Sequence, residues 1–241
     1  MKNITKFLYL FLLCFCLLVP KASAEKLDLI DKDYDFTKIK SVFINTINLD
    51  ILHSSQDQHS NNDLLEKILF QDYWDNAKKF AVYNVYNEEQ AKCKLSLQTE
   101  KDIDQLISQD KTSGEIFFKD NLKLIVDAYV TVSLLNYYTD YYIVPAHTEW
   151  RSVTEYDDYY DKDGKKHVRT RTIQVPEFVP DARVNTANVT IRFTLTDAKT
   201  GKDVFSREES RCNSYSTNCR ECYCQTVRSF FRDLKKKVHK D

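Results

Sequence analysis

Asn185–Thr196 reads Asn-Thr-Ala-Asn-Val-Thr-Ile-Arg-Phe-Thr-Leu-Thr. Apolar side chains occupy every second position of this stretch, and a β-strand places alternate side chains on the same face. The stretch therefore predicts a strand that buries one face and lines the core of a sheet. The apolar set is Ala187, Val189, Ile191, Phe193 and Leu195.

Other stretches of similar character lie on both sides of this strand. They are rich in β-branched and aromatic residues, which favour strands. Turn residues at Asp161-Lys162-Asp163-Gly164 and across Asp197–Lys202 separate extended runs, which predicts hairpins. The other predicted strands are Ser41–Asn48, Ala81–Tyr86, Asp127–Tyr137, Tyr138–Tyr156, His167–Val175 and Asp203–Arg211.

Amphipathic patterns predict helices as well. Between Asn61 and Phe80 apolar side chains recur four residues apart, as they do on one face of a helix. Shorter helical pieces are expected within Asn87–Asp110 and, after a break at Gly114, across Ile116–Leu124. A last helix over about Glu221–Val238 closes the chain, with an apolar stripe on one side.

These elements predict an α+β fold: a mixed, largely antiparallel sheet with helices packed on one face and a C-terminal closing helix. Neither an internal repeat nor a linker interrupts residues 25–241. We therefore expect one α+β domain over that range.

The first 24 residues resemble a cleavable export signal. Lys2 and Lys6 precede an uncharged run, Phe7–Val19, that is too short to span a bilayer. Pro20 follows, and Ala22-Ser23-Ala24 has the small residues that signal peptidase requires. We expect the mature protein to begin at Glu25, to contain no membrane-spanning segment and to be periplasmic or secreted through the Sec pathway.

Composition disfavours several classes of function. The leader holds three of the 35 basic side chains and none of the 36 acidic ones, so the mature chain has a net charge of −4 and lacks the basic surface that nucleic acids require. With three glycines in the whole chain there is no glycine-rich loop to hold a nucleotide phosphate. The common hydrolase motifs are missing. We expect no cofactor, no catalytic residue and no enzymatic activity.

Three segments resemble a known group of proteins. They are Tyr34–Lys40 before a strand, Asp127–Val132 after a helix, and Asp197–Phe205 before the closing helix. Together they are similar to bacterial envelope proteins of unknown function whose domain resembles the TolB amino-terminal domain and the penicillin-binding-protein activators. The resemblance implies a mixed sheet with helices packed on it, a location in the cell envelope, and contacts with an envelope protein. The lipid-attachment cysteine common in that group is missing here, and the cysteine cluster is additional.

The cysteines give the sharpest local signal. Cys212, Cys219, Cys222 and Cys224 fall within 13 residues, and Cys93 stands apart. In an exported protein they predict structural disulfides between the last strand and the closing helix. Two alternatives are a tetrathiolate zinc site, and thiol exchange by Cys219-Arg220-Glu221-Cys222 at the start of a helix. The sequence identifies no metal site beyond these sulfurs.

Aromatic side chains give a second signal. Tyr137, Tyr141, Tyr156 and Tyr159 accompany acidic residues on predicted strands, and Trp150 lies near them. Exposed aromatic rings on a sheet could hold a partner protein or a glycan. His147 and Glu149 are expected on the same strand face, as the one pair suited to acid–base work. The sequence thus predicts an exported interaction or assembly module, with cysteine-based metal or redox chemistry and glycan binding as alternatives. It leaves the oligomeric state open.

Overall fold

The computed structural model describes residues 23–49 and 59–239. These divide between two compact units. Of the described residues, unit 1 comprises 23–49, 59–140 and 186–239, and unit 2 comprises Tyr141–Asn185. The chain therefore leaves unit 1 once, forms unit 2, and returns.

Eight strands and five α-helices form the described part of the chain. The strands are β1 (Ser23–Ile30), β2 (Ser41–Asn48), β3 (Asn84–Tyr86), β4 (Ala128–Val144), β5 (His147–Tyr160), β6 (Lys166–Val179), β7 (Ala182–Asp197) and β8 (Asp203–Ser214). The helices are α1 (His59–Phe80), α2 (Glu88–Thr99), α3 (Ile103–Gln109), α4 (Lys111–Asn121) and α5 (Cys219–Val238). Two short 3-10 turns occupy Phe36–Lys38 and Leu122–Leu124.

Unit 1 is built on a six-stranded sheet with the order β1-β8-β7-β4-β2-β3. β2 pairs in parallel with both β3 and β4, whereas β8 pairs antiparallel with β7 and with β1. The predicted α+β class with a mixed sheet and a closing helix is confirmed. β1 was not predicted, because its residues overlap the end of the export signal and alternate between apolar and charged side chains.

The main core lies between one face of this sheet and the helices α1 and α5. The strictly alternating residues of β7 face this core, and Phe193 stacks on Phe230 of α5 with ring centroids 4.3 Å apart. Phe205 of β8 stacks on the same ring at 5.5 Å. From α1, Tyr73 packs against Phe231. The closing helix is therefore held by aromatic packing against the centre of the sheet.

The three short helices lie on the opposite face of the sheet. Phe43 alternates with core residues along β2, and its ring packs edge-on against Phe118 of α4 in a second, smaller core. α3 and α4 approach each other closely at Gly114, where a Cβ atom would lie 2.6 Å from the backbone of Ile107. The expected helix break at Gly114 is wrong: α4 runs through it, and the missing side chain allows the close helix contact. Helices thus cover both faces.

A buried ionic network holds the edge strand β1. Arg207 on β8 is 3% exposed and donates two hydrogen bonds to Asp28 of β1, at 2.6 and 2.7 Å, and one to Asp233 of α5 at 2.8 Å. Glu209 is fully buried beside it and pairs with Arg211 at 2.6 Å. The hydrogen bond from Arg207 is the main reason that the pKa of Asp28 is lowered. Charge rather than apolar burial therefore joins β1 to α5.

Unit 2 contains the two-stranded sheet formed by β5 and β6. These strands pair antiparallel over 14 consecutive residues without a register shift, from His147 opposite Val179 to Tyr160 opposite Lys166. A turn at Asp161-Lys162-Asp163-Gly164 joins them, and Gly164 has a φ of 75° that favours glycine. This confirms the predicted hairpin. Within Tyr141–Asn185, Val184 alone falls in the buried class.

The predicted export signal lies almost entirely outside the described residues, because the description begins at Ser23. None of the helices in the described ranges is long and apolar enough to cross a membrane.

Candidate functional site

The register of the β5–β6 ribbon sorts its side chains onto two faces. Residues directly opposite each other in an antiparallel pair project to the same side, and the side alternates along each strand. Trp150 lies opposite Pro176, and Tyr156 lies opposite Thr170. His147 lies opposite Val179, on the other side. The two faces differ sharply in chemistry.

One side, which we call the neutral face, lacks charged side chains along most of its length. Its aromatic members are strongly exposed: Trp150 by 69%, Tyr156 by 72% and Phe178 by 70%. Hydroxyl and amide groups lie beside them, and Gln174 donates a hydrogen bond to the Ser152 hydroxyl at 2.6 Å. The neutral face consists of Thr148, Trp150, Ser152, Thr154 and Tyr156 from β5, with Thr170, Thr172, Gln174, Pro176 and Phe178 from β6.

The other side, the charged face, satisfies its charges internally. Arg171 pairs with Glu155 directly across the ladder, with an N–O distance of 2.8 Å. Arg151 lies 3.6 Å from Glu177. Because these cross-strand pairs neutralise one another, the charged face has little net charge to attract a ligand. The neutral face is the stronger candidate for binding.

The predicted aromatic residues divide between different settings. Trp150 and Tyr156 share the neutral face, while Tyr159 lies on the charged face, stacked on His167 at 5.3 Å. The Tyr141 ring lies 3.8 Å beneath the guanidinium carbon of Arg183. Tyr137 belongs to unit 1, where it packs against the main core and burial raises its pKa to about 12. Tyr137 is thus half-buried against the main core, and its role in binding stays a prediction.

His147 and Glu149 lie on the same face, as the alternation predicts. His147 Nε2 is 3.0 Å from a Glu149 carboxylate oxygen, and Nδ1 is 3.0 Å from the carbonyl oxygen of Pro145. The contact with the Pro145 carbonyl and then the one with Glu149 raise the pKa of His147. Both ring nitrogens face hydrogen-bond acceptors, so the imidazole is not positioned as a free base.

The cysteines point in different directions. Cys219 and Cys222 lie in the first turn of α5 and face the sheet, whereas Cys224 projects toward Asp72 of α1. Cys212 lies on β8 and lines an open cavity of about 220 Å³ with Asn136 and Ser210. Cys93 is exposed on α2. The predicted cysteine residues therefore do not form one cluster.

The arrangement of the cysteines bears on the two alternatives to structural disulfides, a zinc site and thiol exchange. Within the described ranges, no three side chains of the metal-binding types His, Cys, Asp and Glu lie close enough to hold an ion. Helix geometry explains this, because each residue turns the helix by about 100° and separates Cys224 from Cys222. Burial raises the pKa of Cys219 and of Cys222, and raises that of Cys224 to about 11. A reactive thiolate, which needs a lowered pKa, is not favoured at these positions.

Two residues of the neutral face were not predicted from the sequence. Pro176 and Phe178 come after the predicted strand His167–Val175, and Pro176 suggested that the strand ends before it. β6 nevertheless continues to Val179, because a two-stranded ribbon leaves outward-facing amides that need no ladder partner. The complete hairpin register, extended from the turn at Asp161–Gly164, would have placed Phe178 beside Trp150.

Comparisons with known proteins yield no assignment. No protein-family description matches the chain, and no curated protein matches it. A solved structure of the PelC dodecamer from Paraburkholderia phytofirmans is similar over 88% of this chain and 98% of its own, with 9% identity and a TM-score of 0.41. A PDZ domain protein from Parabacteroides distasonis is similar over 89% of this chain but 36% of its own, with 11% identity and a TM-score of 0.30. Likenesses this distant carry no argument about what this chain does.

Proposed function

We propose that this protein is a non-catalytic interaction module of the bacterial cell envelope, and that it binds a partner protein through the neutral face of its β5–β6 ribbon. The observation that carries the proposal is the exposure of Trp150, Tyr156 and Phe178 on one uncharged face. The leader-like sequence of residues 1–24 and the resemblance to TolB-like envelope domains support the location.

The size of the aromatic surface supports a role in binding. An aromatic side chain presents about 150–250 Å², so three of them at these exposures offer roughly 300–500 Å² of apolar surface. Trp150 and Phe178 lie on neighbouring rungs of the ladder, whereas Tyr156 lies about 20 Å further along the ribbon, so this surface is a row of exposed rings rather than one contiguous patch. Trp and Tyr are also the residues that most often dominate binding energy.

The lack of charge on the neutral face supports contact with a protein rather than with an ion or a nucleic acid. Burying a charged side chain in an interface costs desolvation energy, and the neutral face avoids that cost between Thr148 and Tyr156. Beyond Tyr156, Asp158 and Lys166 project to the same side as the neutral face and form an ion pair at 2.6 Å. The expected interface has aromatic rings toward both ends of the neutral face, hydroxyl and amide groups between them, and a charged rim beyond Tyr156.

The test compares three forms of the full chain as bait in envelope extracts. The first is wild type, the second carries Trp150→Ser, Tyr156→Ser and Phe178→Ser, and the matched control carries Val153→Ser, Tyr159→Ser and Val175→Ser on the charged face. A partner retained by wild type and control, and reduced at least about tenfold with the neutral-face variant, supports the proposal. Equal loss with both variants, or no specific partner for wild type, contradicts it.

Glycan binding through the same face is a second candidate. Hydroxyl side chains at Thr148, Ser152 and Thr154 surround the rings, and hydrogen-bonding groups beside an aromatic platform suit a sugar. Retention of the wild-type chain on purified peptidoglycan, lost in the neutral-face variant, would favour this candidate over a protein partner.

A further inference from the structure

Cys219 and Cys222 occupy the first turn of α5 and face the same way. Residues three apart on a helix are neighbours on its surface. Both side chains are buried, with exposures of 6% and 2%. The Glu221 amide also donates to the Asn218 carbonyl at 3.2 Å, a bond of the tighter 3-10 kind. In a turn of that kind, side chains three residues apart come into line on the helix surface.

Both sulfurs lie against one peptide unit of β7. The Cys222 thiol is 3.8 Å from the Ala187 carbonyl oxygen. The backbone amide of Asn188, in the same peptide unit, counters part of the rise in the pKa of Cys219. Cys219 donates its own proton to the Tyr138 carbonyl oxygen of β4, at 3.2 Å. The two thiols therefore lie against two adjacent strands of the sheet, β4 and β7.

The remaining described cysteines are poorly placed to compete. Cys212 and Ser210 project to the same face of β8, where the Ser210 hydroxyl contacts Thr190 of β7. The opposite face of β8 is the one that packs on α5. Cys224 is directed toward Asp72. Cys212 is close enough to Cys222 to contribute to the rise in its pKa, so Cys212 is the competing partner that the test has to exclude.

We propose that Cys219 and Cys222 are a thiol–disulfide pair, closed by a small-molecule disulfide such as oxidised glutathione. One cysteine thiolate attacks a glutathione sulfur, and the first glutathione leaves as a thiolate. The second cysteine thiolate then attacks the mixed disulfide and releases the other glutathione. The two cysteines lose two electrons and two protons, and the disulfide oxidant is reduced to two thiols.

Burial sets when this reaction takes place. The thiolate is the attacking species, and burial keeps both thiols protonated and shielded when α5 is packed on the sheet. Oxidation is therefore fast before α5 packs and slow afterwards. In the oxidised state Cys219 has no proton to donate, so the Tyr138 carbonyl loses its hydrogen bond. The pair is thus a modification site with two distinguishable states.

The test uses the purified full chain, unfolded and refolded in oxidised or in reduced glutathione, quenched with acid and alkylated. Trypsin cuts after Arg220, between the two cysteines, and chymotrypsin cuts after Tyr215 and Tyr223. The expected product in oxidised glutathione is residues 216–220 joined to residues 221–223, which contain one cysteine each. Reduced glutathione should give both fragments alkylated. At Cys219 and Cys222, native reduced protein should react with the alkylating reagent at least about tenfold more slowly than denatured protein, whereas the exposed Cys93 should react quickly in both.

Variants make the pairing specific. Cys212→Ser with Cys224→Ser should leave the linked fragments unchanged. Cys222→Ser should give no linked fragments and should leave Cys219 as the mixed disulfide with glutathione. Linkage of Cys219 to Cys212, or two free thiols after refolding in oxidised glutathione, would overturn the inference. The inference depends on the proposed function in one respect: in the cell, export would bring the protein to a compartment that supplies the oxidant. If the pair closes in vitro while cellular material is fully reduced, the proposed location fails and the thiol pair stands.

Discussion

The core around Phe230 and the neutral face around Trp150 use the same kinds of side chain in opposite settings. In unit 1, Phe230 lies fully buried between Phe193 and Phe205. In unit 2, Trp150 is 69% exposed on a strand whose pairing with β6 is equally regular. Alternation identifies a strand and its two faces, but whether an apolar face is covered depends on which other element packs there. The first setting contributes stability, and we assign the second to binding.

Among the variants that test this contrast, the largest expected change in the free energy of unfolding is at Phe230. Phe230→Ala should destabilise the fold by about 3–5 kcal/mol, because it removes a ring stacked on two others and leaves a cavity. Trp150→Ala should change stability by no more than about 0.5 kcal/mol, since the exposed ring already contacts water. Urea unfolding followed by circular dichroism measures both values. Similar losses for the two variants would contradict the contrast.

A smaller effect is expected for the buried charges of unit 1. Arg207→Ala should cost about 3 kcal/mol, because it leaves Asp28, Asp233 and Glu209 close together without their shared cation. The control is Arg192→Ala, which breaks an exposed pair with Glu208 and should cost less than about 1 kcal/mol. The free energy of unfolding is again the measurement. Equal, small costs would show that the network around Arg207 is solvated.

The third comparison concerns Gly114, which lies inside α4. It sets the effect of replacing this glycine against the usual stability cost of a glycine inside a helix. Replacing glycine by alanine inside a helix normally stabilises a protein by about 0.5–1 kcal/mol. Gly114→Ala should instead destabilise by about 1–3 kcal/mol, because the new Cβ would lie 2.6 Å from the backbone of Ile107. Ser108→Ala at the exposed end of α3 is a mild reference. Increased stability of the Gly114 variant would show that α3 and α4 can move apart.

Much of the fold followed from the sequence because local pattern and final structure agree. Ser41–Asn48 was predicted to the residue, and β7 extends the predicted strand by a few residues at its start. The closing helix begins two residues earlier than expected, at Cys219, because Asn218 caps it by accepting a hydrogen bond from the Glu221 amide. The single domain expected for residues 25–241 stays a prediction.

The rest depended on contacts that no local pattern encodes. β1 alternates Lys26 and Asp28 with leucines, and its role depends on Arg207, far along the chain. The position of Tyr137 against the core could not be read from its tyrosine-rich neighbourhood. The pairing of Trp150 with Pro176 required the full register of the hairpin. The candidate site was therefore found in part, through Trp150 and Tyr156, and its composition came from the structure.

The smallest expected effect concerns the charged face, where His147 titrates. Its pKa should lie above the ordinary value because the Pro145 carbonyl and the Glu149 carboxylate both favour the protonated ring. A raised pKa means that the associated stabilisation is present below the unfolded pKa and is lost as pH rises through the folded one. Because the side chain is exposed, the unfolding free energy should barely change, so the titration is followed by the NMR shift of the imidazole protons. Glu149→Gln should lower the His147 pKa only in part, since the Pro145 contact remains, and Glu155→Gln further along the same face should leave it unchanged. An ordinary pKa in the wild-type chain would mean that the hairpin end near His147 is not held as described.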